Sequence, residues 1–145
     1  MLFKGYKKME QSIAKILLID DDNTTNYLHK KVISKTNLCS SLIVANDGEK
    51  GVEALMEMNN TCNNSDGDVL IFLDLNMPIM DGWEFLTTLD KIKDEIKFNF
   101  LLFVVSSSIN GDDIDRAEKN SLVTKYLKKP INIQSIENIK SEYLN

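Results

Sequence analysis

The sequence predicts an α/β protein, with a five-stranded parallel sheet covered by helices on both faces. Two observations carry this expectation. Five short, nearly continuous apolar runs recur along the 145 residues, without the polar-apolar alternation of a half-buried strand. Between them lie stretches whose apolar residues recur at helical spacing.

The elements follow in order. Residues 1–14 read as a partly disordered leader, with Met9 as an alternative start. A single domain then spans 15–145. Its first strand is 15–20 (KILLID), and a helix follows over 23–36, capped by Asp22 or Asn23. Tyr27, Leu28, Val32 and Ile33 are its expected inward face. The second strand is 41–45, and Asn46-Asp47-Gly48 is turn chemistry. A helix over 49–58 turns Val52, Leu55 and Met56 inward.

Residues 59–68 (NNTCNNSDGD) form a polar surface insertion at the end of the sheet away from the strand tips discussed below. The third strand, 69–74, again ends in acid. An irregular loop leads to a helix over 83–92, and the fourth strand, 100–105, runs into three serines. A helix over 111–120, a short strand over 123–127 and a last helix over 133–143 complete the chain.

Composition narrows the function. Hydrophobic residues make up 43% and charged residues 27%, which fits a globular domain and excludes disorder. The net charge is −5, and no dense basic run is interleaved with aromatics, so nucleic acid is not an expected partner. Lys4, Lys7 and Lys8 read as solvated. No apolar run approaches the roughly 18 residues of a membrane span, and the start lacks a secretory core. Cys39 and Cys62 lack metal spacing and read as reduced thiols. A cytoplasmic location is expected.

In an open α/β sheet, ligands bind beyond the carboxyl ends of the strands. Those ends carry Asp20-Asp21-Asp22, Asp74, Ser106 and Lys129. Several carboxylates in one crevice repel one another, and a hard divalent cation removes that repulsion. A hydroxyl and an ammonium beside them suit phosphoryl oxygens, and a carboxylate is a competent nucleophile for phosphorus. Asp22 also sits where an N-cap belongs.

On these residues the chain resembles the receiver domains of two-component response regulators, from about Lys15 to its end. The resemblance rests on IDDD at the first strand, FLDLNMPIMDGWEFL around the third, VVSSS at the fourth and YLKKP at the fifth. It implies a CheY-like, flavodoxin-like doubly wound (βα)5 fold with strand order 2-1-3-4-5. Residue by residue, Asp74 matches the phosphoacceptor and Asp21 the direct Mg2+ ligand. Asp20 matches its acidic neighbour, and Asn76 the residue whose backbone carbonyl completes the metal shell. Ser106 matches the hydroxyl that follows the phosphoryl group, and Lys129 the site lysine. Pro130 follows Lys129 across an expected cis bond, and Tyr126 matches the aromatic switch. Lys128 and the neighbouring serines leave two assignments to be settled by geometry.

The resemblance implies a sensor histidine kinase or histidine phosphotransfer protein as donor, with Mg2+ as cofactor. No output domain is expected beyond Asn145, so signalling is expected through a changed surface offered to a downstream protein target. The chain is expected to work as a switch and not as a conventional enzyme, as a monomer or a phosphorylation-dependent dimer. A receiver fold that binds without phosphorylation is the second reading, but such modules usually lose an acid or the lysine. A metal-dependent phosphatase is the third, and Asn76 stands where its second aspartate would be. His29 reads as a surface residue, and Trp83 as core packing.

Overall fold

The computed structural model describes residues 13–39, 41–61 and 67–144. Among them, five strands form one parallel sheet: β1 (Ile13–Ile19), β2 (Leu42–Ala45), β3 (Asp68–Leu73), β4 (Phe100–Ser106) and β5 (Lys125–Lys128). Their spatial order is β2-β1-β3-β4-β5, as the resemblance implies. The alternating helices are α1 (Asn23–Lys35), α2 (Gly48–Asn59), α3 (Gly82–Ile92), α4 (Gly111–Lys119) and α5 (Ile133–Ile139). A 3-10 turn, Lys93–Glu95, extends α3, and a π-helical turn, Lys140–Leu144, extends α5.

The apolar runs work as two-faced strands because successive side chains point to opposite sides. One set, including Leu17, Ile19, Ile71, Leu73 and Val104, packs with Leu55, Phe85, Leu89 and Ala117 of α2, α3 and α4. The alternate set, including Ile16, Leu18, Phe72, Phe103 and Val105, packs with Ile33, Ile136 and Ile139 of α1 and α5. Burying both faces is what fixes the strand register. Phe72 and Phe103 stack at 5.6 Å, and Tyr143 meets Phe103 edge-on.

Each helix begins on an Asp or Asn side chain that accepts a backbone N–H: Asp22, Asp47, Asp81, Asn110 and Asn132. Asp81 forms a reciprocal capping box with Glu84. At the opposite end of the sheet, Asn59 closes α2. Its Nδ2 donates to Glu95 O at 2.8 Å, and its Oδ1 accepts from Lys97 N at 2.6 Å. Asn59 is therefore buried helix, not the start of a polar loop. Residues 62–66 of that loop, with Cys62, lie outside the described residues, as do 1–12 of the expected leader. Ile13 and Ala14 belong to β1, so the first strand starts two residues earlier than expected. Cys39 is a half-buried free thiol.

The inward face of α1 differs from the expected one. Tyr27 and Leu28 are 59% and 50% exposed, whereas Asn26, His29 and Ile33 are buried. The buried stripe continues to Thr36, and 26, 29, 33 and 36 are all at helical spacing. Three polar members, Asn26, His29 and Thr36, misled a pattern built on apolarity. His29, expected at the surface, is only 4% exposed, and its Nε2 accepts the Ile131 N–H at 3.0 Å. On α2, Met58 is buried where Met56 was expected.

Burial lowers the pKa of His29 below 6.5; Asp20 pulls it back up, and Lys129 pushes it further down. The folded chain therefore takes a proton here less readily than the unfolded chain. Stability from this site is complete above the ordinary value and declines as pH falls below it. The urea midpoint should drop between about pH 7 and pH 5. His29→Gln, which keeps an acceptor but does not titrate, should flatten this component; equal slopes in the two proteins would refute the assignment.

Candidate functional site

The site is set by the pairing of β1 with β3. Their register opposes Ile19 to Leu73, so the next residues, Asp20 and Asp74, leave the sheet side by side. Asp74 N donates to Ile19 O at 2.9 Å, and Asp20 N to Ala45 O at 3.0 Å. The backbone ladder thus holds both acids where the strand order reverses. Both are buried, while Asp21 is exposed beside them. Carboxylate oxygens of Asp20, Asp21 and Asp74 lie within 4.8 Å of one another.

Lys129 reaches this cluster from the loop after β5. Its Nζ lies 2.7 Å from Asp20 Oδ2 and 3.3 Å from Asp74 Oδ1. Lys128 is exposed and paired in register with Ser106, so the two lysines are distinguished by geometry. Lys129 N donates to Ser106 O at 2.9 Å, which extends the β4–β5 ladder to the lysine itself. The Lys129–Pro130 bond is cis.

Electrostatics follow from this crowding. Burial raises the pKa of Asp74, and the Asp20 charge raises it further; Lys129 and the Asn76 backbone N–H draw it down. Burial opposes the charge on Lys129, but Asp20 and Asp74 more than offset it and hold the ammonium above its ordinary range. One cation facing several acids leaves negative charge that a divalent ion can neutralise. Clustered hard oxygens are the donor set such ions prefer, so the residues present fit one.

Ser106 ends β4 and is fully buried, and its Oγ accepts from Ser108 N at 3.1 Å. Ser107 is exposed, and the Ser108 hydroxyl donates to Asp113 Oδ2 at 3.1 Å. Tyr126, on β5, is half-buried against the α4 side of the core, and its hydroxyl donates to Ser108 O at 2.9 Å. Its backbone N–H donates to Glu118 of α4 at 2.8 Å. The loop after Ser106 is thus tied to both Tyr126 and α4.

The loop after Asp74 is tight. Asn76 is exposed two residues beyond the acid. Met80 N donates to Pro78 O at 2.8 Å across Ile79, whose φ is 69°. This is a γ-turn, and a β-branched residue there carries about 1–2 kcal/mol of strain. Ile79 is also 74% exposed. The loop is closed at both ends by glycines: a Cβ on Gly48 would meet Met80 O at 2.5 Å, and one on Gly82 would meet Asp74 O at 2.5 Å. Trp83 packs against the core beside this turn, with the Arg116 guanidinium 4.0 Å above its ring.

The sequence pointed to neither Asn26 nor the glycine contacts, and it placed His29 at the surface, where the structure buries it. Asn26 Nδ2 donates to Asp20 O at 2.9 Å. The signal for Asn26 and His29 was their place on one helical stripe with Ile33.

Comparisons with known proteins agree with this geometry. The response regulator receiver domain model matches residues 16–140, and the chain belongs to that family of two-component systems. It is 30% identical to the response regulator Rcp1 of Synechocystis sp. over 121 residues, covering 83% of this chain and 80% of that one. A two-component response regulator from Cytophaga hutchinsonii superposes with a TM-score of 0.75 at 25% identity, over 92% of this chain and 97% of that one. The Mn2+-bound form of Rcp1 superposes with a TM-score of 0.65 at 27% identity, over 90% and 94%. Among the described residues, no helix is long and apolar enough to cross a membrane.

Two outcomes are expected. Gly82→Ala should push Asp74 O and α3 apart and destabilise the fold by about 1–3 kcal/mol in chemical denaturation. Lys129→Met should tighten the binding of a divalent cation, probed with Mg2+, roughly tenfold, because the ammonium that competes for the carboxylates is gone. Titration followed by Trp83 fluorescence reads this, and weaker binding would contradict the competition.

Proposed function

We propose that this chain is a phosphoacceptor switch, with Asp74 as the residue that takes the phosphoryl group. The observation that carries the reading is the Asp74 carboxylate, fixed beside Asp20 with the Lys129 ammonium 3.3 Å away. The donor is a phosphohistidine of a sensor histidine kinase or histidine phosphotransfer protein. An Asp74 oxygen forms the new bond to phosphorus as the P–N bond breaks, and the imidazole keeps the electron pair. This transfer needs positioning and charge neutralisation more than proton traffic.

Lys129 supplies a cation to a phosphoryl oxygen, and Ser106 supplies a hydroxyl donor. The Asp20, Asp21 and Asp74 side chains and the Asn76 carbonyl would hold Mg2+, which when bound neutralises phosphoryl charge. Leaving its bond from Ser108 N, Ser106 would disturb the loop that Tyr126 grips through Ser108 O. The readout is a population shift on the α4–β5–α5 surface, offered to a downstream protein. The protein acts as a cytoplasmic switch and not as a turnover enzyme, as a monomer or a phosphorylation-dependent dimer.

Asp74→Asn should abolish labelling by a small phosphodonor in Mg2+; stoichiometric label on the variant would sink the reading. In receiver domains the positions of Asn76 and Ser108 border the path of the hydrolytic water, and both are polar here. The acyl phosphate should therefore decay within minutes at neutral pH, as timed by loss of label.

A further inference from the structure

The buried histidine of α1 has no part in the phosphoacceptor scheme. His29 Nε2 accepts the N–H of Ile131 at 3.0 Å. Ile131 is 2% exposed, so this N–H has no access to water. A buried backbone donor without a partner is strongly destabilising, so the contact fixes the segment. Ile131 stands two residues beyond Lys129, and Lys129 N is itself fixed to Ser106 O. The lysine is thus held on one side by the sheet and on the other by a histidine from α1.

The same helix turn reaches the acid. Asn26 and His29 stand one turn apart, and Asn26 Nδ2 holds the Asp20 carbonyl at 2.9 Å. Both line a cavity of about 10 Å³ that Asp20 and Asp74 also line. Two buried polar side chains of α1 therefore hold the acid-bearing strand end and the lysine-bearing loop in a fixed relation. Burial favours the neutral imidazole, the form in which one ring nitrogen can accept.

We propose that His29 is a positioning residue for Lys129. By accepting the Ile131 N–H, it sets where the ammonium sits between Asp20 and Asp74, and hence how strongly it competes with a divalent cation. Its effect on phosphoryl transfer rests on the reading of Asp74 as acceptor; its effect on the lysine does not. Gln at this position carries an acceptor at a comparable reach, whereas Leu and Met fill the space without one.

The test is a double-variant cycle on Mg2+ affinity, read by Trp83 fluorescence. His29→Leu should tighten Mg2+ binding about threefold in the otherwise unchanged chain, and should have no effect when Lys129→Met is already present. His29→Met repeats the measurement if His29→Leu does not fold, and His29→Gln should return the wild-type affinity. Labelling of Asp74 by phosphoramidate should slow about tenfold in His29→Leu and recover in His29→Gln. An equal change in both lysine backgrounds, or no change in either, would overturn the proposal, as would unaltered labelling in a folded His29→Leu. If the wild-type chain takes no label, the phosphoacceptor reading falls and the affinity cycle alone decides the role of His29.

Discussion

Two carboxylates are placed side by side by the backbone of the sheet, and the rest of the site answers to that. Asp20 and Asp74 follow paired residues on adjacent parallel strands, so neither can withdraw without breaking the ladder. Burial and mutual repulsion oppose ionisation of Asp74. Lys129 relieves part of that repulsion through two short contacts. The remainder leaves the site ready for further positive charge, and makes the lysine's position a variable that governs affinity.

That position is determined by elements distant in sequence. β4 holds Lys129 through its own backbone, and α1 holds the following segment through His29. The turn after Asp74 is confined between Gly48 and Gly82, where no side chain could replace hydrogen without moving a carbonyl. A strained γ-turn at Ile79 persists there because both ends of the loop are fixed. The chemistry of a few groups thus depends on close contacts made mainly by backbone.

Much of this was legible in the sequence. Five apolar runs with acid, hydroxyl or ammonium at their ends gave the strands and the edge of the sheet where Asp20, Asp74, Ser106 and Lys129 meet. Apolarity was the wrong guide wherever a polar side chain is buried to serve the backbone. His29 and Asn26 spend their polarity on Ile131 N and Asp20 O, and Asn59 spends its own on Glu95 and Lys97. For His29 and Asn59 those partners are 102, 36 and 38 residues away, beyond the reach of local patterning. Tyr27 and Leu28 failed for the converse reason: they are apolar residues left outside.

α4 is attached differently from its neighbours. α3 buries Phe85, Leu86 and Leu89, but α4 buries only Ala117. What holds α4 in place is largely polar: Arg116 over Trp83, Glu118 on Tyr126 N, and Asp113 on the Ser108 hydroxyl. Contacts of this kind are exchanged for water or ions far more readily than packed hydrocarbon. The helix is thus held as a latch with several weak catches, while the sheet and α3 are held by packed hydrocarbon.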